Sequence, residues 1–347
     1  MIPLWVADTD FRAAPAIREA LSRRVEHGVF GYSTPPHELR AVIAERMQRL
    51  YRWRIDPRWI VFLPGVVPGL HLAARKLVAP DGHALIPRPV YHHFKRAVEL
   101  APRAFTEMPL VLERGRWVFD LDVFKKAKGT ALFLCNPQNP GGTVFRQTEL
   151  EQLAALSQGM TIVSDEIHCD LILEKGLDHI PIASLAPEVS RRTVTLMSAN
   201  KSFNIPGAGC GWAIIEDAEL RKAFSSEVSA HVIGSPSVFG LAASLAALKD
   251  ADAWLQALLD YLRGNRDFLE ANIGLPMAHV EATYLAWIDV SGVANAADRF
   301  LQNGVAVYPG EQFGDGRFIR LNFGTQRKIL EEAIRRIRNA SMPSPRG

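Results

Sequence analysis

Cysteine is scarce in this chain: Cys135, Cys169 and Cys210 are the only three in 347 residues, widely separated and without metal-ligand spacing. That excludes a disulfide-built scaffold and a cysteine-held metal, and it suits a reducing compartment. Long apolar runs are missing as well, for nothing reaches the roughly 18 consecutive apolar residues of a membrane-spanning helix. The opening residues, MIPLWVADTDF, lack a basic stretch followed by an apolar run of signal length. The chain is therefore expected to be cytoplasmic, with no membrane partner. An excess of charge of one sign is also absent. With 40 Lys and Arg against 37 Asp and Glu, the net charge is only +3 and is spread along the sequence, so nothing argues for a nucleic-acid partner. The nearest basic cluster, Arg335, Arg336 and Arg338, reads as the solvated side of a last helix.

What is present is the composition of an ordinary globular protein, 48% hydrophobic and 22% charged, in a chain long enough for two domains. Residues 36–50 space Leu39, Val42, Ile43, Met47 and Leu50 along one helical face. IVFLPG, HALIPRP, ALFLCNPQNPGG, TIVSDEIH and TVTLMSANKS then read as short apolar strands ending in turns, with a helix over TELEQLAALSQ. Short apolar strands alternating with helices predict parallel strands joined by crossover helices, an α/β core over residues 35–245. Farther on, WLQALLDYLRGNRDFLEANI places Leu255, Leu258, Leu259, Leu262 and Leu269 on one face, with Gly264 a local weakness. Strands over TYLAWIDV and RFIRLNFG and a helix over LEEAIRRIRNA complete a smaller α+β domain. It is expected to take in residues 246–347 together with 1–34. Trp5 and Trp287 are expected in the core.

Ligands of a parallel α/β sheet sit beyond the carboxyl ends of its strands, and there stand Asn139, Asp165, Ser198 and Lys201. Taken singly each has a bland reading. Lys201 would be a surface charge, Asp165 a helix cap and Asn139 a turn residue. Pyridoxal phosphate requires an amine for its aldehyde, an acid for its ring nitrogen, a donor at its phenolic oxygen and an anion site for its phosphate, and Lys201 and Asp165 offer the first two.

On these residues the chain resembles the class I/II aminotransferases of pyridoxal-phosphate fold type I, and among them the branch of cystathionine β-lyase and related carbon–sulfur lyases. PLWVADTDF, FGYS, LPGVVPGL, RPVYHHF, NPQNPGG, VSDEIHCDL, SANKSFNIPG and FIRLNFG carry the resemblance over nearly the whole length. LWVADTDF and SDEIH point to the lyase branch.

The resemblance implies a large domain with a mostly parallel central sheet flanked by helices, plus the smaller α+β domain. It implies pyridoxal 5'-phosphate as cofactor and no metal. Lys201 would carry the cofactor as a Schiff base, and Asp165 would partner the pyridine nitrogen. Asn139 would bond the phenolic oxygen, with His168 in place of the tyrosine usual in aminotransferases. Tyr91 would stack on the ring. The amides of Val66 and Val67, with Ser198, would receive the phosphate. Tyr32 would reach the phosphate of a neighbouring subunit in a homodimer, and Arg320 would clamp the α-carboxylate of an amino-acid substrate.

Some positions depart from the family pattern. About 30 residues of an N-terminal arm are expected to be absent, judged against typical domain anatomy. Thr9 stands where the lyase branch has Met, His92 and His93 where prolines are common, and Asn200 where serine precedes the lysine. Gly209 occupies the place of a phosphate-binding arginine. None of these removes a chemical group that the cofactor needs. The implied reaction is β-elimination from L-cystathionine or a cysteine S-conjugate. An aminotransferase is the alternative within the fold, and a non-catalytic regulator is the alternative outside enzymology.

Overall fold

The computed structural model describes residues 1–341. Its centre is an eight-stranded sheet. In spatial order the strands are Ile60–Leu63, Gly211–Ile214, Thr193–Met197, Thr161–Asp165, Ala131–Cys135, His83–Arg88, Ala104–Glu113 and Arg116–Phe119. The five strands from 193–197 through 104–113 run parallel to their neighbours. Strands 131–135, 161–165 and 193–197 are almost wholly buried because helices cover both faces, as expected of a parallel sheet, whereas 104–113 toward the edge is largely exposed or half-buried.

The two edges depart from the crossover pattern. Strands 193–197 and 211–214 are antiparallel, since the segment between them holds only a short 3-10 turn and no crossover helix. At the other edge, strands 104–113 and 116–119 close as a hairpin through Arg114 and Gly115. Both turn residues have positive φ, at 50° and 79°, as a tight hairpin turn demands.

One face of the sheet packs on the helices Val66–Leu77 and His93–Leu100, where Leu70, Phe94, Val98 and Leu196 interdigitate. Phe119, Phe145, Leu150 and Trp287 belong to the cluster on the opposite side. Trp287 is buried, as expected. A third cluster joins Ile17, Leu39, Ile43, Leu258, Leu262 and Ile334, so helices from both ends of the chain share it. The helix Asp252–Asn272 buries Leu255, Leu258, Leu259, Leu262 and Leu269 and runs unbroken through Gly264. There the missing side chain leaves room for Arg327, which bonds Asn265 Oδ1 at 2.9 Å. A three-stranded antiparallel sheet, Leu285–Asp289, Phe318–Asn322 and Tyr308–Pro309, packs beside this helical layer. Arg335 and Arg336 of the last helix pair with Glu332 at its solvent side.

The functional consequence lies in the register. Strands 131–135, 161–165 and 193–197 are consecutive parallel neighbours, so their carboxyl ends open on one edge. The loops that carry Asn139, Asp165 with His168, and Lys201 therefore converge there.

Candidate active site

At that edge a cavity of about 470 Å³ is lined by Val66, Val67, Tyr91, Asn139, Asp165, His168, Asn200, Lys201 and Arg320, among others. Asp165 is the last residue of its strand and lies in the interior. Its Oδ1 accepts from the backbone amide of Ile167 at 3.1 Å, which fixes the carboxylate as the chain turns away. Burial raises its pKa from 3.8 to about 7; the Ile167 bond opposes the rise and nearby Glu166 adds to it. A carboxylate so placed needs a cationic partner to stay charged.

Lys201 comes from the segment that replaces a crossover helix. Its Nζ donates to the Ala7 carbonyl, and burial, followed by the charge of Arg320, lowers its pKa from 10.5 to about 8. An amine tuned in this way is a better nucleophile and base at neutral pH than a surface lysine.

Arg320 is buried on strand 318–322. Its Nη1 donates to Asn139 Oδ1 at 3.1 Å and its Nη2 to the Trp5 carbonyl at 2.8 Å, while Nε has no partner among the described residues. The rings of Tyr308 and Phe313 lie 5.1 and 4.7 Å from the guanidinium carbon. Burial lowers its pKa to about 10, so it remains a cation at neutral pH. Because Asn139 accepts through Oδ1, its amide nitrogen stays free to donate.

His168 is buried and its Nδ1 has no partner among the described residues. Burial, together with the charges of Lys201 and Arg320, lowers its pKa to about 3, so the imidazole is neutral. Tyr91 presents its ring to the cavity, and burial pushes its hydroxyl up to about 12.

Val66 and Val67 open the helix Val66–Leu77, which has no side-chain cap; its first amides are a ready anion site. Gly211 packs so closely that a Cβ there would lie 3.0 Å from the carbonyl carbon of Gly65, and Gly209 has φ +66°. Small residues thus let the backbone approach this end of the cavity.

Two expected members stand apart. Ser198 does not line the cavity; its hydroxyl donates to Cys210 O at 2.6 Å and accepts from Asn200 N at 3.0 Å. Tyr32 is fully exposed between two helices. Trp5 corrects an expectation, for it is 46% exposed and not in the core. Its indole lies 6.0 Å from Tyr308, because pairing its backbone carbonyl with Arg320 holds this segment at the cavity rim.

The N-terminal segment is the part that residue-by-residue reading missed. Val6 and Ala7 line the cavity, and Tyr284 donates to the Ala7 carbonyl at 3.0 Å. Asn322 Nδ2 reaches the carbonyls of both Val6 and Asp8 at 2.6 Å. Asn204 grips Thr9 through both its backbone groups and also bonds the Phe11 carbonyl. LWVADTDF gave the only signal, and it carried no individual role.

These residues fit pyridoxal phosphate. Uncapped helix amides suit its phosphate, the buried Asp165 its ring nitrogen, and free donors at Asn139 and His168 its phenolic oxygen. Lys201 suits its aldehyde. Among the described residues no group of three or more His, Cys, Asp or Glu could hold a metal ion.

The sequence of residues 1–337 matches the family described as aminotransferase class I and II. The cystathionine beta-lyase PatB of Bacillus subtilis strain 168 is 35% identical over 357 residues, covering 98% of this chain and 92% of PatB. The crystal structure of OvoB superposes with a TM-score of 0.95 at 44% identity, over 99% of this chain and 93% of that one. Cystalysin from Treponema denticola, whose crystal structure contains pyridoxal 5'-phosphate, superposes with a TM-score of 0.92 at 29% identity, over 98% of this chain and 91% of that one.

Proposed function

The chain belongs to the class I and II aminotransferase family, and from that premise we propose that it is a carbon–sulfur β-lyase cleaving L-cystathionine or a related cysteine S-conjugate to pyruvate, ammonia and a thiol. It is a pyridoxal-phosphate-dependent enzyme of fold type I. The observation that carries the reading is the meeting of Lys201, Asp165 and Arg320 in one cavity, in a chain similar to the cystathionine beta-lyase PatB.

Pyridoxal phosphate, when bound, supplies an aldehyde that takes up amines and a ring that accepts the electron pair left when the Cα proton departs. The chain's residues do the rest. Arg320, a buried cation, holds the substrate carboxylate and so turns Cα toward Lys201. The Lys201 amine, depressed by burial, takes the Cα proton. Asp165 keeps a proton on the ring nitrogen by offering it a buried negative charge. Neutral His168 and the Asn139 amide donate toward the phenolic oxygen. As the Cβ–S bond breaks, the sulfur leaves with its electron pair and gains a proton. Water then converts the remaining fragment to pyruvate and ammonia.

In the same reading the phosphate rests on the amides of Val66 and Val67 with Ser198 behind them, and Tyr91 stacks on the ring. Tyr32, fully exposed in one subunit, completes the phosphate site of a partner, making the enzyme a homodimer. We take residues 35–245 as the cofactor domain and 1–34 with 246–347 as the smaller one, a division that the separate three-stranded sheet supports. We place the enzyme in the cytoplasm, where the buried free thiols Cys135, Cys169 and Cys210 would stay reduced.

Amino transfer is the second reading, favoured by the family as a whole, and it uses the same first proton transfer. A substrate panel separates the two. Thiol and pyruvate release without any oxo acid supports the lyase, and faster amino transfer to an oxo acid across the panel supports the alternative.

A further inference from the structure

The active-site cavity has a neighbour. A groove, also of about 470 Å³, lies against it, and His92 and His93 line both spaces. Their rings are 4.6 Å apart, and Nδ1 of each is buried without a partner among the described residues. A half-turn of either ring exchanges that nitrogen for a carbon with little change in packing. The wall shared by the two spaces is therefore formed by rings that can hydrogen-bond. Tyr308 stands 6.0 Å from His92, and its hydroxyl has no hydrogen bond among the described residues. The far wall is tied to the near one where Val90 N donates to Phe313 O at 3.2 Å.

The charges of the groove are mixed but unevenly satisfied. Glu107 is shared by Arg88 at 3.4 Å and Lys95 at 3.3 Å. Arg96, Glu99 and Glu311 also line the groove and have no ion pair among the described residues. A guanidinium and carboxylates that line one groove without ion-pair partners among the described residues complement a group that carries an ammonium and a carboxylate together. Volume points the same way. A single cavity of about 470 Å³ lies at the low end of the ~300 to 1,000 Å³ of ligand pockets and must hold a cofactor besides the reacting amino acid. The far half of a long conjugate would have to extend elsewhere, and the His92–His93 wall is lining that the cavity shares with the neighbouring groove.

We propose that this groove is a distal subsite of the active site. It takes the zwitterionic far end of a cysteine S-conjugate, with Arg96 on its carboxylate and Glu311 on its ammonium, while His92 and His93 of the shared wall flank the thioether. The proposal rests on the lyase reading for the identity of the bond that breaks, but not for the binding itself.

The test uses two uncleavable probes on the holoenzyme. They are the carbon isosteres of L-cystathionine and of S-ethyl-L-cysteine, each with CH2 in place of sulfur, the second being L-norleucine. Calorimetric titration should show the double-headed isostere binding about tenfold tighter, as two partly exposed ion pairs allow. The Arg96→Ala/Glu311→Ala double variant should erase that preference. Equal affinities in the unaltered enzyme, or a preference that survives the double variant, would overturn the subsite. Pyruvate release from L-cystathionine is scored separately. Preference without pyruvate would sink the lyase reading and leave the subsite standing, and pyruvate without preference would do the reverse.

Discussion

Replacing Asp165 with asparagine in the cofactor-free enzyme should make the protein more stable, while in the loaded enzyme it should cost activity. The carboxyl is buried, and burial lifts its pKa from 3.8 to about 7. For an acid whose folded pKa is raised, the contribution to stability is greatest at low pH. It falls as pH rises from about 4, where the unfolded chain ionises, to about 7, where the folded chain does, and is constant above that. The gap corresponds to roughly 4 kcal/mol. Asparagine retains the oxygen that accepts from Ile167 and carries no charge, so it avoids this penalty. Chemical denaturation of cofactor-free Asp165→Asn and unaltered protein should therefore give curves that diverge between pH 4 and 7, with the variant ahead by up to roughly 4 kcal/mol at pH 8. Adding the cofactor should close or invert the gap, since a protonated ring nitrogen gives the carboxylate its partner. Parallel stability curves over this pH range would refute the assignment of Asp165 as a carboxylate awaiting a cation. So would equal stabilisation of both proteins by the cofactor.

Lys201→Ala should fold with an unchanged circular dichroism spectrum yet show no multiple turnover, because among the described residues no other amine lines the cavity; sustained activity would exclude Lys201 as base and anchor. If Tyr32 completes the partner's site, mixing inactive Tyr32 and Lys201 variants should restore about a quarter of full activity, since half the dimers are mixed and each has one intact site. An active monomer would contradict this. Asn322→Ala strips partners from the carbonyls of Val6 and Asp8 and from the amide of Gly324. It should lower stability by about 2 to 3 kcal/mol in denaturant titrations and raise KM as the Trp5–Ala7 rim loosens.

Much of the site is legible along the chain because it is built at strand ends. Asn139, Asp165 and Lys201 each follow an apolar run, and parallel pairing of neighbouring strands is enough to bring such ends together. The antiparallel edges are less legible, since ALFLC and GWAI look alike as apolar runs and only the lack of a crossover helix before Gly211 sets the direction. The rim is hidden for a different reason. Trp5 looks like a core residue by its side chain, but its position is set by its carbonyl, which meets Arg320 from the far end of the chain. Tyr284, Tyr308 and Asn322 act on the site through similar long-range contacts, which no local periodicity encodes.

The central claim is that this chain breaks a carbon–sulfur bond, and counting products per active site tests it most directly. With excess L-cystathionine and no oxo acid, the holoenzyme should release pyruvate and thiol in many equivalents per site, with the cofactor unchanged at the end. Release of no pyruvate or thiol, with at most one equivalent of an oxo acid per site and the cofactor left as its amine, would contradict the lyase and establish amino transfer in its place.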